Sequence, residues 1–294
     1  MTTANEPLLR RVQCLGARGL HRMAYWEWPC SGGAGDRTLV CAHGISRQGR
    51  DFDTLARAMQ DRYRVVCPDV VGRGESDRLA DPSGYQIPAY VADMVTLLAR
   101  LDARAVHWLG TSMGGLIGIA LSALPGSPIE RLVLNDVGPA IDPAGIARIA
   151  AYIGLPLTWT SEDDAADYLL TISQGFGPHR RDEWMALTRP MLRRDGDRWR
   201  LHCDPAIGTP LKAMTPAAAA AGEAALWAAY DAIRCPTLLL RGADSDVLAP
   251  TTAEAMATRG PRARIHSFAG VGHAPTLVAA AQVAVVREFL LADR

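Results

Sequence analysis

Val106-His107-Trp108-Leu109-Gly110-Thr111-Ser112-Met113-Gly114-Gly115 is the stretch from which the rest of this chain is read. A run rich in β-branched and aromatic residues leads into Gly-x-Ser-x-Gly, and a small-residue apolar segment, Leu116-Ile117-Gly118-Ile119-Ala120-Leu121, follows at once. The pattern predicts a strand, a very tight turn and a helix. Glycines at 110 and 114 remove the Cβ atoms that would block so sharp a reversal. Ser112 then sits at the apex with its hydroxyl exposed, beside helix-opening amides that favour developing negative charge.

A serine hydroxyl is a weak nucleophile until a base takes its proton, and the base needs a carboxylate to orient it. Four histidines follow Ser112: His179, His202, His266 and His273. His273 lies in Gly270-Val271-Gly272-His273-Ala274-Pro275, a loop between a strand-like stretch (263–268) and a final helix (about 276–291), where an imidazole can reach a sheet edge. His266 falls inside the strand pattern. For the carboxylate, Pro236-Thr237-Leu238-Leu239-Leu240-Arg241-Gly242 reads as a buried parallel strand opening into Ala243-Asp244-Ser245-Asp246. A third aspartate, Asp136, ends the apolar run Leu132-Val133-Leu134-Asn135, where a structural strand-end role competes with a chemical one.

These segments resemble the α/β-hydrolase family over nearly the whole chain. The resemblance rests on His43-Gly44, Asp69-Val70-Val71-Gly72-Arg73-Gly74-Glu75-Ser76, Gly110 to Gly115, Asp246 and Gly272-His273. It implies that Gly-x-Ser-x-Gly is a nucleophile elbow and that the triad runs in the order Ser, acid, His. Ser112 is then the nucleophile and His273 the base. The spacing of Asp246 to Pro250 resembles the family's acid position and favours Asp246, with Asp244 and Asp136 as alternatives; the acid loop is one residue longer than its commonest form. The family's oxyanion donors correspond to the backbone N–H groups of Ile45 and Met113. His43 is expected to brace its loop. The Asp69–Ser76 loop matches neither a Walker nor a dinucleotide fingerprint and reads as structural.

Composition agrees with a globular enzyme. The 294 residues accommodate one α/β domain plus an insertion. Thirty-one basic and 31 acidic residues cancel, which disfavours nucleic acid and anionic membranes as partners. Six cysteines lack Cys-x-x-Cys spacing or adjacent histidines, so no metal or redox pair is expected. Met1 to Cys14 has no apolar leader core, and the apolar stretch from Ala274 to Leu291 is interrupted by Gln282, Arg287 and Glu288, so a cytoplasmic location is expected.

Strand-then-helix alternation covers about 36–138 and resumes near 236, predicting a mostly parallel, doubly wound sheet with antiparallel edge strands from about 10–29. Between about 140 and 214 the alternation stops. The reading is therefore an α/β-hydrolase core (1–139 and 215–294) with a mainly helical cap (140–214) inserted after the sixth strand. Trp159 and Trp184 are candidates to line the pocket, though cap-core packing competes, and Arg47 is a candidate for a substrate carboxylate. The resemblance implies a serine hydrolase of small carboxylic esters that needs no cofactor. Lactonases and carbon–carbon bond hydrolases use the same triad, and a non-catalytic binder is the remote alternative. The sequence fixes neither substrate nor oligomeric state.

Overall fold

The apolar runs form strands of one eight-stranded sheet in the computed structural model, which describes residues 6–32 and 37–292. An antiparallel hairpin, β1 (Leu8–Gly16) and β2 (Gly19–Trp28), opens the chain. Then come β3 (Thr38–Ala42), α1 (Asp53–Met59), β4 (Arg64–Pro68), α2 (Ile87–Leu101), β5 (Val106–Thr111), α3 (Met113–Ser122) and β6 (Ile129–Asn135). After β6 the chain leaves the sheet for α4 (Pro143–Tyr152), β7 (Thr158–Trp159), α5 (Glu162–Ile172), α6 (Arg181–Thr188), β8 (Leu192–Asp195), β9 (Arg198–Leu201) and α7 (Thr209–Lys212). It returns through α8 (Pro216–Ala232), β10 (Thr237–Gly242), α9 (Pro250–Thr258), β11 (Arg264–Phe268) and α10 (Ala280–Leu291).

The strand order is β1-β2-β4-β3-β5-β6-β10-β11. From β4 to β11 every neighbouring pair is parallel, and the hairpin closes one edge antiparallel. Both faces are covered, and the two-residue period of β3 shows how. Val40 and Ala42 pack with residues of α2 and α3, while Leu39 and Cys41 pack with residues of α1 and α10. Such a sheet presents its site beyond the carboxyl ends of the parallel strands.

The 140–214 segment is not wholly helical: β7, β9 and β8 form a small antiparallel sheet. Its hairpin, Leu192 to Leu201, turns through Gly196 at φ 61°. Asp195-Gly196 between the two runs is the hairpin signal there. Met1 to Asn5, part of the stretch weighed for a leader, lie outside the described residues. Among the described residues no helix is long and apolar enough to cross a membrane.

Candidate active site

β5 delivers Ser112 at the sheet's carboxyl edge, and α3 begins at the next residue. Ser112 adopts φ 51°, ψ −118°, a conformation that non-glycine residues seldom hold unless the surroundings enforce it. Neighbouring contacts do so. A Cβ at Gly110 would lie 2.1 Å from the Gly114 carbonyl oxygen, and one at Gly114 would lie 2.0 Å from that of Ala42. The Ser112 amide donates to the Asn135 carbonyl at 3.0 Å, tying the turn to the end of β6.

His273 reaches Ser112 from the loop after β11, with Nε2 3.0 Å from the serine Oγ. Its Nδ1 lies 2.8 Å from Oδ2 of Asp136, the residue immediately after β6. Asp136 is fully buried and has φ 56°, a second strained residue at the same edge. Its carboxylate also accepts from the Gly242 amide at 2.8 Å and from the Ser245 hydroxyl at 2.6 Å. With His273 Nδ1 that makes three hydrogen-bond partners on one carboxylate.

Asp246, the carboxylate favoured from sequence, makes no hydrogen bond to His273. Arg148 of α4 holds it instead, with Nε and Nη2 at 2.5 and 2.8 Å, and this contact lowers the Asp246 carboxyl below its ordinary value. Asp244 is exposed. The reason is local. In Asp244-Ser245-Asp246 the middle residue turns inward, and the Ser245 hydroxyl donates to Asp136 while accepting from the Val247 and Leu248 amides. The loop after β10 therefore supports the carboxylate at the end of β6 without supplying its own.

Asn135 is a supporting residue that the sequence reading passed over. Its Nδ2 donates to Thr111 Oγ1 at 2.9 Å and to the Pro275 carbonyl at 2.8 Å, linking the serine and histidine loops. Gly44 lies against Ser112, close enough that a Cβ there would be 3.7 Å from Ser112 Cβ. His43 is buried, with Nδ1 donating to the Gly44 carbonyl (2.7 Å) and Nε2 accepting from the Val70 amide (2.9 Å). Burial, reinforced by the charges of Arg73 and Arg47, pushes its pKa down to about 3. It is a neutral brace between two loops. Met113, as the first residue of α3, carries an amide with no acceptor inside its own helix.

The three residues proposed from sequence to meet substrate are occupied elsewhere. Trp184 is 2% exposed, donates Nε1 to the Ala166 carbonyl at 2.8 Å, and packs against Phe176 and His179. Trp159 packs on Tyr168 and Leu192. Both belong to the interior of the 140–214 segment, because a large aromatic ring is the readiest core for so small a unit. Arg47 grips Asp51 through two bonds of 2.6 and 2.8 Å and donates to the Leu187 carbonyl and Met191 sulfur. It fastens that segment to the sheet domain.

Two further contacts place residues 175–179 over the histidine loop: Gly272 N to Gly175 O at 2.6 Å, and His179 Nε2 to Thr276 Oγ1 at 2.7 Å. A cavity of about 340 Å³ lies along this seam, lined by residues including His179, Phe268, Val271 and Thr276. His266 packs at a tilt against Phe268, and His202 approaches Glu75.

Away from this edge, Cys14 and His21 face each other across the β1–β2 register and meet Asp93 of α2. This pairing was not visible in the cysteine spacing. His21 Nε2 is 3.0 Å from Asp93 Oδ2, and burial with the Asp93 charge raises the Cys14 thiol to about 12. The imidazole bonds the Asp93 carboxyl, while the Cys14 thiol lies within 4.8 Å of both and donates to the Val12 carbonyl at 4.0 Å.

Comparison with known proteins agrees with this architecture. The sequence profile described as "Alpha/beta hydrolase family" matches residues 39–286. A curated protein of Cupriavidus necator, named 3-hydroxybutyrate-oligomer hydrolase, is 50% identical over 288 residues, spanning 97% of this chain and 98% of its own length. Among solved structures, an alpha/beta hydrolase from Novosphingobium aromaticivorans superposes with a TM-score of 0.84 at 30% identity, covering 97% of this chain and 98% of its own. A putative hydrolase from Rickettsia typhi superposes with a TM-score of 0.86 at 25% identity, covering 96% and 98%. The profile match over most of the sequence, together with these relatives, places the chain in the alpha/beta hydrolase family.

Proposed function

We propose that this hydrolase cleaves short oligoesters of 3-hydroxybutyrate through a hydroxyacyl-enzyme formed on Ser112. The observation that carries the reading is the hydrogen-bonded chain Ser112 Oγ–His273 Nε2–His273 Nδ1–Asp136 Oδ2, at 3.0 and 2.8 Å. The substrate class comes from the half-identical relative's name.

Ser112 Oγ attacks the ester carbonyl as its proton passes to His273 Nε2. The negative charge on the carbonyl oxygen is met by the amides of Ile45 and Met113, which need no reorganisation at the moment of reaction. Collapse breaks the carbon–oxygen bond, and the leaving hydroxyl oxygen takes the proton from His273. A water molecule then repeats the sequence on the acyl-enzyme and releases the free acid. Throughout, Asp136 fixes the imidazole with its proton on Nδ1 and stabilises the transient imidazolium. Residues 140–214 act as a lid that excludes bulk water from the acyl-enzyme, and the Arg47 and His179 contacts hold it down.

The test is chromatographic. Release of monomer from the 3-hydroxybutyrate dimer and trimer is compared with turnover of nitrophenyl butyrate, a lactone and a dienone acid. Oligoester turnover that vanishes in Ser112→Ala is expected. Preference for the lactone or the dienone acid would replace the ester reading.

A further inference from the structure

Arg73 sits in the Asp69–Ser76 loop, which sequence reading left as structural, and it is 1% exposed. Burying a guanidinium is costly unless its donors find acceptors, and a carboxylate is the usual partner. Here, among the described residues, no carboxylate forms an ion pair with it. Its Nε donates to the Ile45 carbonyl at 2.8 Å. Its Nη1 donates to the Val71 carbonyl at 2.7 Å and the Tyr90 hydroxyl at 2.9 Å. Its Nη2 points at the Met113 sulfur, 3.6 Å away. The rings of Tyr85 and Tyr90 pack against it, with centroids at 5.6 and 5.1 Å.

Two of these partners, Ile45 and Met113, are the residues whose amides the proposed mechanism assigns to the oxyanion. We infer that Arg73 is the positioning residue of the oxyanion pocket: one guanidinium holds the Ile45 carbonyl and contacts the Met113 sulfur, so it braces both residues that carry the oxyanion amides, and its charge adds positive potential there. The inference rests on the Ser112 hydrolase reading. It explains why, among the described residues, Arg73 is buried with no carboxylate partner. The negative charge it is placed to meet develops on the substrate oxygen during reaction, when a preorganised cation acts most strongly.

The experiment compares Arg73→Met and Arg73→Lys with the parent enzyme, with active sites counted by end-point fluorophosphonate labelling. The readouts are kcat and KM on nitrophenyl butyrate and inhibition by butylboronic acid, which mimics the tetrahedral adduct. Arg73→Met is expected to lose about 10²-fold in kcat per labelled site, the scale of a lost oxyanion donor, with KM within about threefold. Boronate affinity should fall alongside kcat. Arg73→Lys, which keeps the charge but not the fork, should fall between the two. Undiminished kcat per labelled site, or unchanged boronate affinity, overturns the inference; if the Met variant does not fold, the Lys variant decides by the same criteria. Ser112→Ala separates the two levels. If it is inert while the Arg73 variants are fully active, only the positioning role fails; if it remains active, the hydrolase reading fails and this inference with it.

Discussion

Replacing Asp136 by Asn tests which carboxylate orients the base, and the structure supplies the magnitude. Oδ1 of Asp136 accepts from the Gly242 amide, so an asparagine keeps its oxygen there. Its amide nitrogen then takes the place of Oδ2, facing His273 Nδ1 and the Ser245 hydroxyl. Two donors cannot face each other, so the imidazole moves its proton to Nε2 and can no longer accept one from Ser112. In a triad that change of tautomer lowers kcat by about 10⁴-fold while leaving the fold in place. Asp246→Asn serves as the comparison. It weakens an ion pair to Arg148 whose side chains are 38% and 40% exposed, so stability should change by at most about 1 kcal/mol. Its kcat should stay within about threefold of wild type, because Asp246 makes no hydrogen bond to the imidazole. Initial rates on nitrophenyl butyrate, with unfolding midpoints as a check on folding, give the answer. A collapse confined to Asp246→Asn would refute the reasoning.

His43 gives a prediction in pH. Its pKa is lowered from 6.5 to about 3 in the fold, so its contribution to stability is complete above pH 6.5 and is lost as pH falls toward 3. At about 1.4 kcal/mol per unit, the loss from this group between pH 6.5 and 4.5 is about 2–3 kcal/mol. Urea titrations at the two values should show that much less acid sensitivity in His43→Gln, and equal sensitivity would contradict the buried neutral assignment. Trp184→Ala should cost about 3–5 kcal/mol, since it empties the interior of the 140–214 segment and orphans the Ala166 carbonyl. A selective rise in KM with unchanged stability would return Trp184 to the substrate pocket.

The elbow was legible because its demands are local: two glycines, one serine and the strand and helix around them are contiguous. The placement of His273 beside Ser112 was legible because a glycine loop between a strand and the last helix can carry an imidazole to the sheet edge. The carboxylate that hydrogen-bonds His273 was not, because which of Asp136, Asp244 and Asp246 faces the imidazole depends on side-chain direction. A positive φ at Asp136 and an inward Ser245 set that direction, and neither is written in the spacing. Arg47 illustrates the same limit. Its charge suggested a substrate anion, but a partner four residues on, Asp51, was already available. The Cys14–His21–Asp93 network likewise depends on strand register and helix packing, which bring distant residues together.

Rapid quenching of the enzyme with the 3-hydroxybutyrate trimer, followed by intact-protein and peptide mass analysis, tests most directly whether Ser112 carries the acyl group. The account predicts a transient mass increase that maps to the peptide containing Ser112, is absent from Ser112→Ala, and persists longer in a His273→Ala variant loaded with an activated ester. Turnover of the trimer with no covalent species on that peptide, or at an undiminished rate in Ser112→Ala, would contradict it.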